Sequence, residues 1–568
     1  MRREDLRSLI GLLLASGAAF LLTAFLPGRA ANGRNALLHA PVIEYTIVQP
    51  GQVAFTLSGA DGAEIRYTFD GSEPSLASTR YREHFLVDPE VYASRSMMRS
   101  TSVQWRRPIG DFPVGVSLRA RAFDAQGRPG PITERTLVQL DDVLPTLSLT
   151  IADGAFFDPD TGIYVVGNAI FRTGEDFVKR YPRDQKWWKY PGNFHLRGAD
   201  AERTGRLECF ATYDDQLPRS LWSSDVRLRI NGNNTRGFPQ HALRVIFEQS
   251  LEQPLFGEER GTGFKRVLLR TAGNDQDHAF FRDALQHRLC AGLSFETSAC
   301  VQSVLFVNGA YWGIHNLRER IDEKEIARRH GLKPKDITII EDRIVLYEGK
   351  KEELKTFSRF LTMTEQWDAS GRAFVDSLER RMDVDGFLSY MAAQIILSNT
   401  DWPEQNVRWW RYTAPSPALP REGREHDTAA IGPLDGRWRF LMGDSDMGMG
   451  LAAPPEYDMF THIDRHPNAP IARLFKACLR SKELTARFSH TLDSLLRDPL
   501  SAGNMEREIV RMRDAIADEM PTHIRRWRRP LTMEAWERHV EDLLTFARLR
   551  PAAVKEQAAV YLSQYPLP

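Results

Sequence analysis

The stretch Leu397-Ser398-Asn399-Thr400-Asp401-Trp402-Pro403-Glu404-Gln405-Asn406 decides how the chain is read. It follows an apolar helical run, Phe387 to Leu397, and precedes Val407-Arg408-Trp409-Trp410, which reads as a strand. Asp401 and Asn406 stand five positions apart in one short helix-to-strand loop. A second strand, Arg437-Trp438-Arg439-Phe440-Leu441-Met442, runs into Gly443-Asp444-Ser445-Asp446-Met447-Gly448-Met449-Gly450. Two carboxylates at a strand end, followed by glycines, suit a hard cation. The other reading of the same residues is a Gly-rich loop whose aspartates accept backbone N–H groups.

The Asp401–Asn406 spacing resembles the H-R-D-x-x-x-x-N catalytic loop of protein kinases, and Asp446-Met447-Gly448 has the form of their D-F-G. Upstream, Val226, Leu228 and Ile230 alternate as a strand, and Leu243, Val245 and Phe247 form the return. The turn between them, Asn231-Gly232-Asn233-Asn234-Thr235-Arg236-Gly237, either covers phosphates with backbone N–H groups or closes a plain hairpin. Arg244 and Ile246 share one face of the return strand. Residues 144–260 mix strands and turns, and further strands fall near 301–307 and 436–442. Beyond about 470 the spacing is helical, as at Val540, Leu543, Leu544 and Ala547. The fold class expected is α+β.

The chain of 568 residues exceeds one ordinary core, so two or more domains are expected. Lys+Arg and Asp+Glu number 75 each, and this balance argues against nucleic acid as a partner. Cys209, Cys290, Cys300 and Cys478 lack zinc-site spacing; Cys290 and Cys300 are left open as a disulfide pair. H-E-x-x-H, G-x-S-x-G and G-x-x-x-x-G-K-[ST] are absent. Leu9 to Leu26 carries no charge, follows Arg2, Arg3 and Arg7, and at about 18 residues is just long enough to span a bilayer. A membrane anchor with the N-terminus inside is preferred to a cleaved signal peptide, and either sends the rest of the chain out of the cytoplasm. The organisation expected is an anchor or signal over 1–30, a linker over 31–43, a β-sandwich over 44–142 and an α+β domain over 143–568. That last domain has a Pro-, Gly- and charge-rich insertion at 414–432 and a helical tail from about 470. The basic cluster Arg525, Arg526, Arg528 and Arg529 reads as a solvated, salt-bridged helix end.

Ile65-Arg66-Tyr67-Thr68-Phe69-Asp70-Gly71-Ser72-Glu73-Pro74, with Leu118 to Phe123 as a closing strand, resembles the small β-sandwich at the C-terminus of chitobiases and β-hexosaminidases. An accessory or spacer role is what that likeness implies. From about Leu144 onward the chain resembles the CotH family of atypical protein kinases. The blocks follow in order: Phe157 to Tyr164, Asn231 to Phe247, Leu269-Arg270, Asn274-Asp275, Arg282-Asp283, and Val307 to Gly313 with Leu317 and Glu319. Asp401-Trp402-Pro403 with Asn406, Asp444 with Asp446, and Arg526-Trp527 complete them.

This resemblance implies phosphoryl transfer from ATP to a protein hydroxyl, with Mg2+. Asp401 would be the base, Asn406 and Asp446 the magnesium ligands, and Asp444 a second carboxylate. Asn233 and Thr235 would contact the nucleotide, and Glu319 would pair from a helix with the phosphate-binding cation. The chain departs from the family where lysines give way to Gln240, His241 and Ile246, which leaves Arg244 as the cation near that strand. The function expected is a membrane-anchored extracytoplasmic kinase acting on an unidentified protein; the alternative is an envelope binding protein that keeps the fold without catalysis.

Overall fold

The computed structural model describes residues 38–49, 52–89, 97–138, 144–171, 186–212, 218–414 and 432–565. The expected anchor at 9–26, Asp141-Asp142 and most of the 414–432 insertion lie outside them. Among the described residues no helix is long and apolar enough to cross a membrane.

The first seven strands are β1 (Val42–Gln49), β2 (Gln52–Ser58), β3 (Glu64–Thr68), β4 (Thr79–Arg80), β5 (Phe85–Val87), β6 (Gly115–Phe123) and β7 (Pro129–Val138). They make two sheets, β1-β2-β5 and β4-β3-β6-β7, over a shared core of Phe55, Leu57, Ile65, Leu118 and Ala120. At the turn read from the sequence, Asp70 Oδ1 accepts from the Ser72 N–H (3.0 Å). Gly71 has φ +70°, and a Cβ there would stand 2.1 Å from the Ile151 carbonyl oxygen. Glycine is what lets this turn dock against the following barrel.

That barrel is built from β8 (Thr146–Ile151), β9 (Arg203–Thr212), β10 (Pro218–Ile230), β11 (Leu243–Leu251), β12 (Phe264–Arg270), β13 (Cys300–Val307) and β14 (Ala310–Glu319). It closes in the order β10-β11-β12-β14-β13-β8-β9 around Leu149, Leu228, Val245, Leu269 and Trp312. The β10–β11 hairpin pairs Val226 with Phe247 and Ile230 with Leu243, as the alternation predicts. Closure depends on β8 lying parallel to β13, a pairing no local pattern announces.

Strand β14 is buried along its whole length. One face fills the barrel; against the other lies the Met520–Trp527 helix. Gly313 (φ +83°) permits this approach, because a Cβ there would come within 2.7 Å of His523 Nδ1. Trp527 Nε1 donates to the Trp312 carbonyl (2.8 Å). Arg526 is fully buried, 4.5 Å and 4.0 Å from the ring centroids of Trp312 and Trp527. The basic cluster is therefore not a solvated helix end at this position; its central arginine is a core residue stacked on indoles.

A second sheet, of β15 (Ile337–Glu341), β16 (Val345–Glu348), β17 (Val407–Tyr412) and β18 (Arg439–Met442), runs β16-β15-β17-β18. The Val384–Leu397 helix beneath it is buried at every position but Asp385, as its near-continuous apolar sequence requires. Asp383 caps its start by accepting from the Gly386 N–H (3.1 Å). At its end Arg550 donates to the carbonyls of Ile395 (2.6 Å) and Ile396 (3.0 Å), placing a buried cation on the orphan acceptors. All four cysteines are free, which answers the open question of Cys290 and Cys300. Burial pushes their thiols up to about 12 and about 11.

Candidate active site

Val407 pairs with Met442 at the end of the β17–β18 ladder, so the loop entering β17 and the loop leaving β18 run side by side. A Cβ on Gly443 would stand 2.4 Å from the Asn406 carbonyl oxygen. Asn399 Nδ2 donates to the Asp444 carbonyl (3.3 Å), and the Met449 N–H to the Leu397 carbonyl (2.7 Å). From the far side, His462 Nε2 hydrogen-bonds the carbonyl of buried Trp402 (2.7 Å). The loops that carry Asp401, Asn406, Asp444 and Asp446 are thus zipped together, and of these four side chains Asn406 and Asp444 line the cleft between them. Burial first, and then the charge of Asp444, raise the Asp401 carboxyl above its ordinary range.

Asn406 and Asp444 line a cleft of about 320 Å³ together with Arg244, Arg270, Arg320 and Arg408. Arg244 leaves the outer face of β11. Its Nη2 reaches Asn231 Oδ1 at 3.5 Å, and its Nε is buried without an acceptor. Among the described residues no carboxylate lies within ion-pair distance of it. Burial, then Arg320 and Arg229, push its pKa down to about 10. A guanidinium surrounded by its own kind and short of acceptors is a site for an anion.

Three other sequence expectations meet different geometry. Asn233 is exposed, its Oδ1 accepting from Arg197 (3.1 Å). The turn that holds Asn233 and Thr235 is stapled from within by Arg236, which donates to the carbonyls of Gly232 (2.8 Å), Phe194 (2.9 Å) and Ile230 (2.7 Å). This turn reaches the cleft only through Asn231 at its base, so it is not a phosphate cover. Glu319 borders the cleft but ends strand β14 and is not on a helix. It pairs with Arg329 (2.7 Å) and Arg260 (3.5 Å), not with Arg244. Gln240 and His241, at family lysine positions, are core residues. Gln240 Nε2 donates to the Ile314 carbonyl (3.0 Å), and the His241 ring packs 4.5 Å from that of Tyr164.

The carboxylate pair is where magnesium was expected. Asp446 is almost wholly enclosed; its Oδ2 accepts from the Asn274 N–H (2.8 Å) and its Oδ1 from Asn274 Nδ2 (3.1 Å). Nη2 of Arg270 lies 2.6 Å from Asp444 Oδ1 and 3.4 Å from Asp446 Oδ2. Burial and the charge of Asp444 push the Asp446 carboxyl up to about 8, against the pull of Arg270. Magnesium needs carboxylate oxygens free for an octahedral shell. The pair does not fit that ion in this arrangement, because an arginine stands between its members. Among the described residues no three His, Cys, Asp or Glu side chains are grouped to hold a metal.

Arg270, Asn274 and Asp283 had appeared in the sequence only as motif blocks without roles, and Arg320 and Arg408 gave no signal. Gly273 (φ +63°) completes the arrangement, since a Cβ there would stand 2.1 Å from Asp446 Oδ2. Gly273→Ala is expected to cost about 1–3 kcal/mol, from a strained backbone and a displaced carboxylate. An unchanged urea midpoint would contradict this.

A family model for CotH kinase protein matches residues 228–554, more than half of the chain. A model for the chitobiase/beta-hexosaminidase C-terminal domain matches residues 46–134. No curated protein matches the chain.

Proposed function

The chain belongs to the CotH kinase family, and from that premise we propose that its cleft binds ATP and transfers the terminal phosphoryl group to a protein hydroxyl. The observation that carries this reading is the meeting of the Asp401 loop and the Asp444 loop at a cleft holding the unpaired cation Arg244. Arg244 and Arg320 take the polyphosphate as guanidinium donors. Asp401, half-buried and raised above the ordinary carboxylate range, orients the acceptor hydroxyl and receives its proton. We also propose that the 9–26 segment anchors the chain and that the acceptor is a protein of the cell envelope. A second reading, nucleotide or anion binding without transfer, is favoured by Arg270 standing in the carboxylate pair.

The test uses the full chain with γ-labelled ATP and a cell-envelope protein fraction as acceptor, scoring ATP binding and phosphoryl transfer separately. Asp401→Asn is expected to cut transfer by about a hundredfold or more while leaving ATP affinity unchanged. Arg244→Ala is expected to weaken ATP binding by about tenfold or more. Binding without transfer selects the second reading; no binding sinks both.

A further inference from the structure

We infer that the guanidinium of Arg270 is the resident counter-cation of the Asp444–Asp446 pair, filling the place of a bridging divalent ion, so that polyphosphate binding in the cleft does not need that ion. The second half rests on the nucleotide reading above; the first half stands on geometry alone.

A single nitrogen, Nη2, touches both carboxylates, at 2.6 Å and 3.4 Å. That contact point is where a cation bridging the two would sit. The same side chain is held from behind, with Nε 3.6 Å from Asp283 Oδ2, so the guanidinium is clamped from both sides. Asp446 offers little in exchange, since Asn274 already donates to both of its oxygens. Gly273 keeps this contact close by having no side chain. Asp283 and Asp444 are matched in charge by Arg270 and Arg318. A divalent ion would therefore find a cluster already largely neutralised, and would have to break several hydrogen bonds to enter. Arginine suits such a position, because it is always charged and its Nη2 reaches both carboxylates while its Nε faces Asp283.

The probe is Mn2+ alone, followed by its electron paramagnetic resonance signal on the full chain without nucleotide. The wild type is expected to show no saturable site that depends on Asp444. Arg270→Gln is expected to bind Mn2+ at least about tenfold more tightly, and Asp444→Asn added to it is expected to remove the gain. A wild-type Mn2+ site abolished by Asp444→Asn, or no gain in the Arg270 variant, overturns the inference. Because Arg270→Gln strips a partner from buried Asp283, Arg270→Lys is run in parallel: it keeps the cation and is expected to show no gain in Mn2+ affinity, and a gain equal to that of Arg270→Gln overturns the inference. The unmutated chain gives an independent arm. Its ATP affinity in EDTA is expected to stay within about threefold of that with Mg2+, and a loss beyond about tenfold overturns the second half. Absence of ATP binding under either condition defeats the nucleotide reading and the second half, and leaves the Mn2+ arm to decide the first.

Discussion

Replacing Asp283 by alanine is expected to cost the chain about 3–5 kcal/mol, the range for removing one partner of a buried ion pair. Asp283 is only 3% exposed. Its Oδ2 accepts from Arg318 Nη1 (2.6 Å) and lies 3.6 Å from Arg270 Nε, and its Oδ1 accepts from the Ser445 N–H (2.9 Å). Burial alone would raise this carboxyl; Arg270 and Arg318 overcome that and hold it well below the usual carboxylate range. It also stands in the first turn of the Arg282–Leu289 helix, where a negative charge meets the positive end of the dipole. Alanine leaves two largely enclosed guanidiniums short of a counter-charge and the Ser445 N–H without its acceptor. Asp283→Asn keeps an oxygen for Ser445 but loses the charge, so it is expected to fall between alanine and wild type. Urea unfolding monitored by tryptophan fluorescence reads both. A loss below about 1 kcal/mol for alanine would show that the cluster is not what fixes the Asp444 loop.

What the sequence conveyed about this site followed from local rules. Strand alternation at Val226–Ile230 and Leu243–Phe247 predicts the hairpin and puts Arg244 on its outer face, as found. Asp401, Asn406, Asp444 and Asp446 converge because the segments between the two loops are adjacent strands of one ladder, and antiparallel neighbours bring their ends together. Long-range choices were not legible. Nothing near Thr146–Ile151 says that it pairs with Cys300–Val307, so the barrel was invisible. Glu319 looked like a helix residue awaiting the phosphate cation. Its true partner, Arg329, comes from the Glu323–His330 helix folded back onto it. Arg270 carried a motif but no role, since the identity of its partners depends on a contact between β12 and a loop far along the chain. Charge type is written in the sequence; which charges meet is decided by topology.

The same buried polar chemistry is expected to make the fold acid-labile, with a loss of roughly 5 kcal/mol between pH 7 and pH 5. Four of the buried histidines, His241, His287, His315 and His523, are neutral rings held far below their ordinary value. His287 Nδ1 accepts from the Ser298 N–H (3.0 Å), so its Nε2 carries the proton and donates to the Gly443 carbonyl (3.0 Å). His523 Nδ1 accepts from the Ile314 N–H (3.0 Å). His315 and His241 sit in the barrel wall and its mouth, both without exposed surface. Burial is the leading cause in each case, pushing His241, His287 and His523 down to about 3 and His315 to about 4. Their ordinary value is 6.5, so as pH falls below it the unfolded chain gains protons that the folded chain refuses. Their contribution is complete above pH 6.5 and is lost toward pH 3–4, at about 1.4 kcal/mol per histidine per pH unit. Asp446 acts in the opposite sense. With its folded value at about 8 and its ordinary value at 3.8, it holds a proton in the folded state across this window and offsets about one histidine. These five groups together take up about three protons on unfolding between pH 6 and pH 5, against a total stability of order 5–15 kcal/mol. Urea midpoints across pH 8 to 5 should therefore hold nearly level at first and then fall steeply below about 6.5. His523→Gln is expected to remove about one proton from that slope, because a neutral amide cannot titrate. Stability that stays flat down to pH 5 would mean that these rings reach water in the folded chain, and the packing of the Met520–Trp527 helix on β14 would then have to be looser than Gly313 implies.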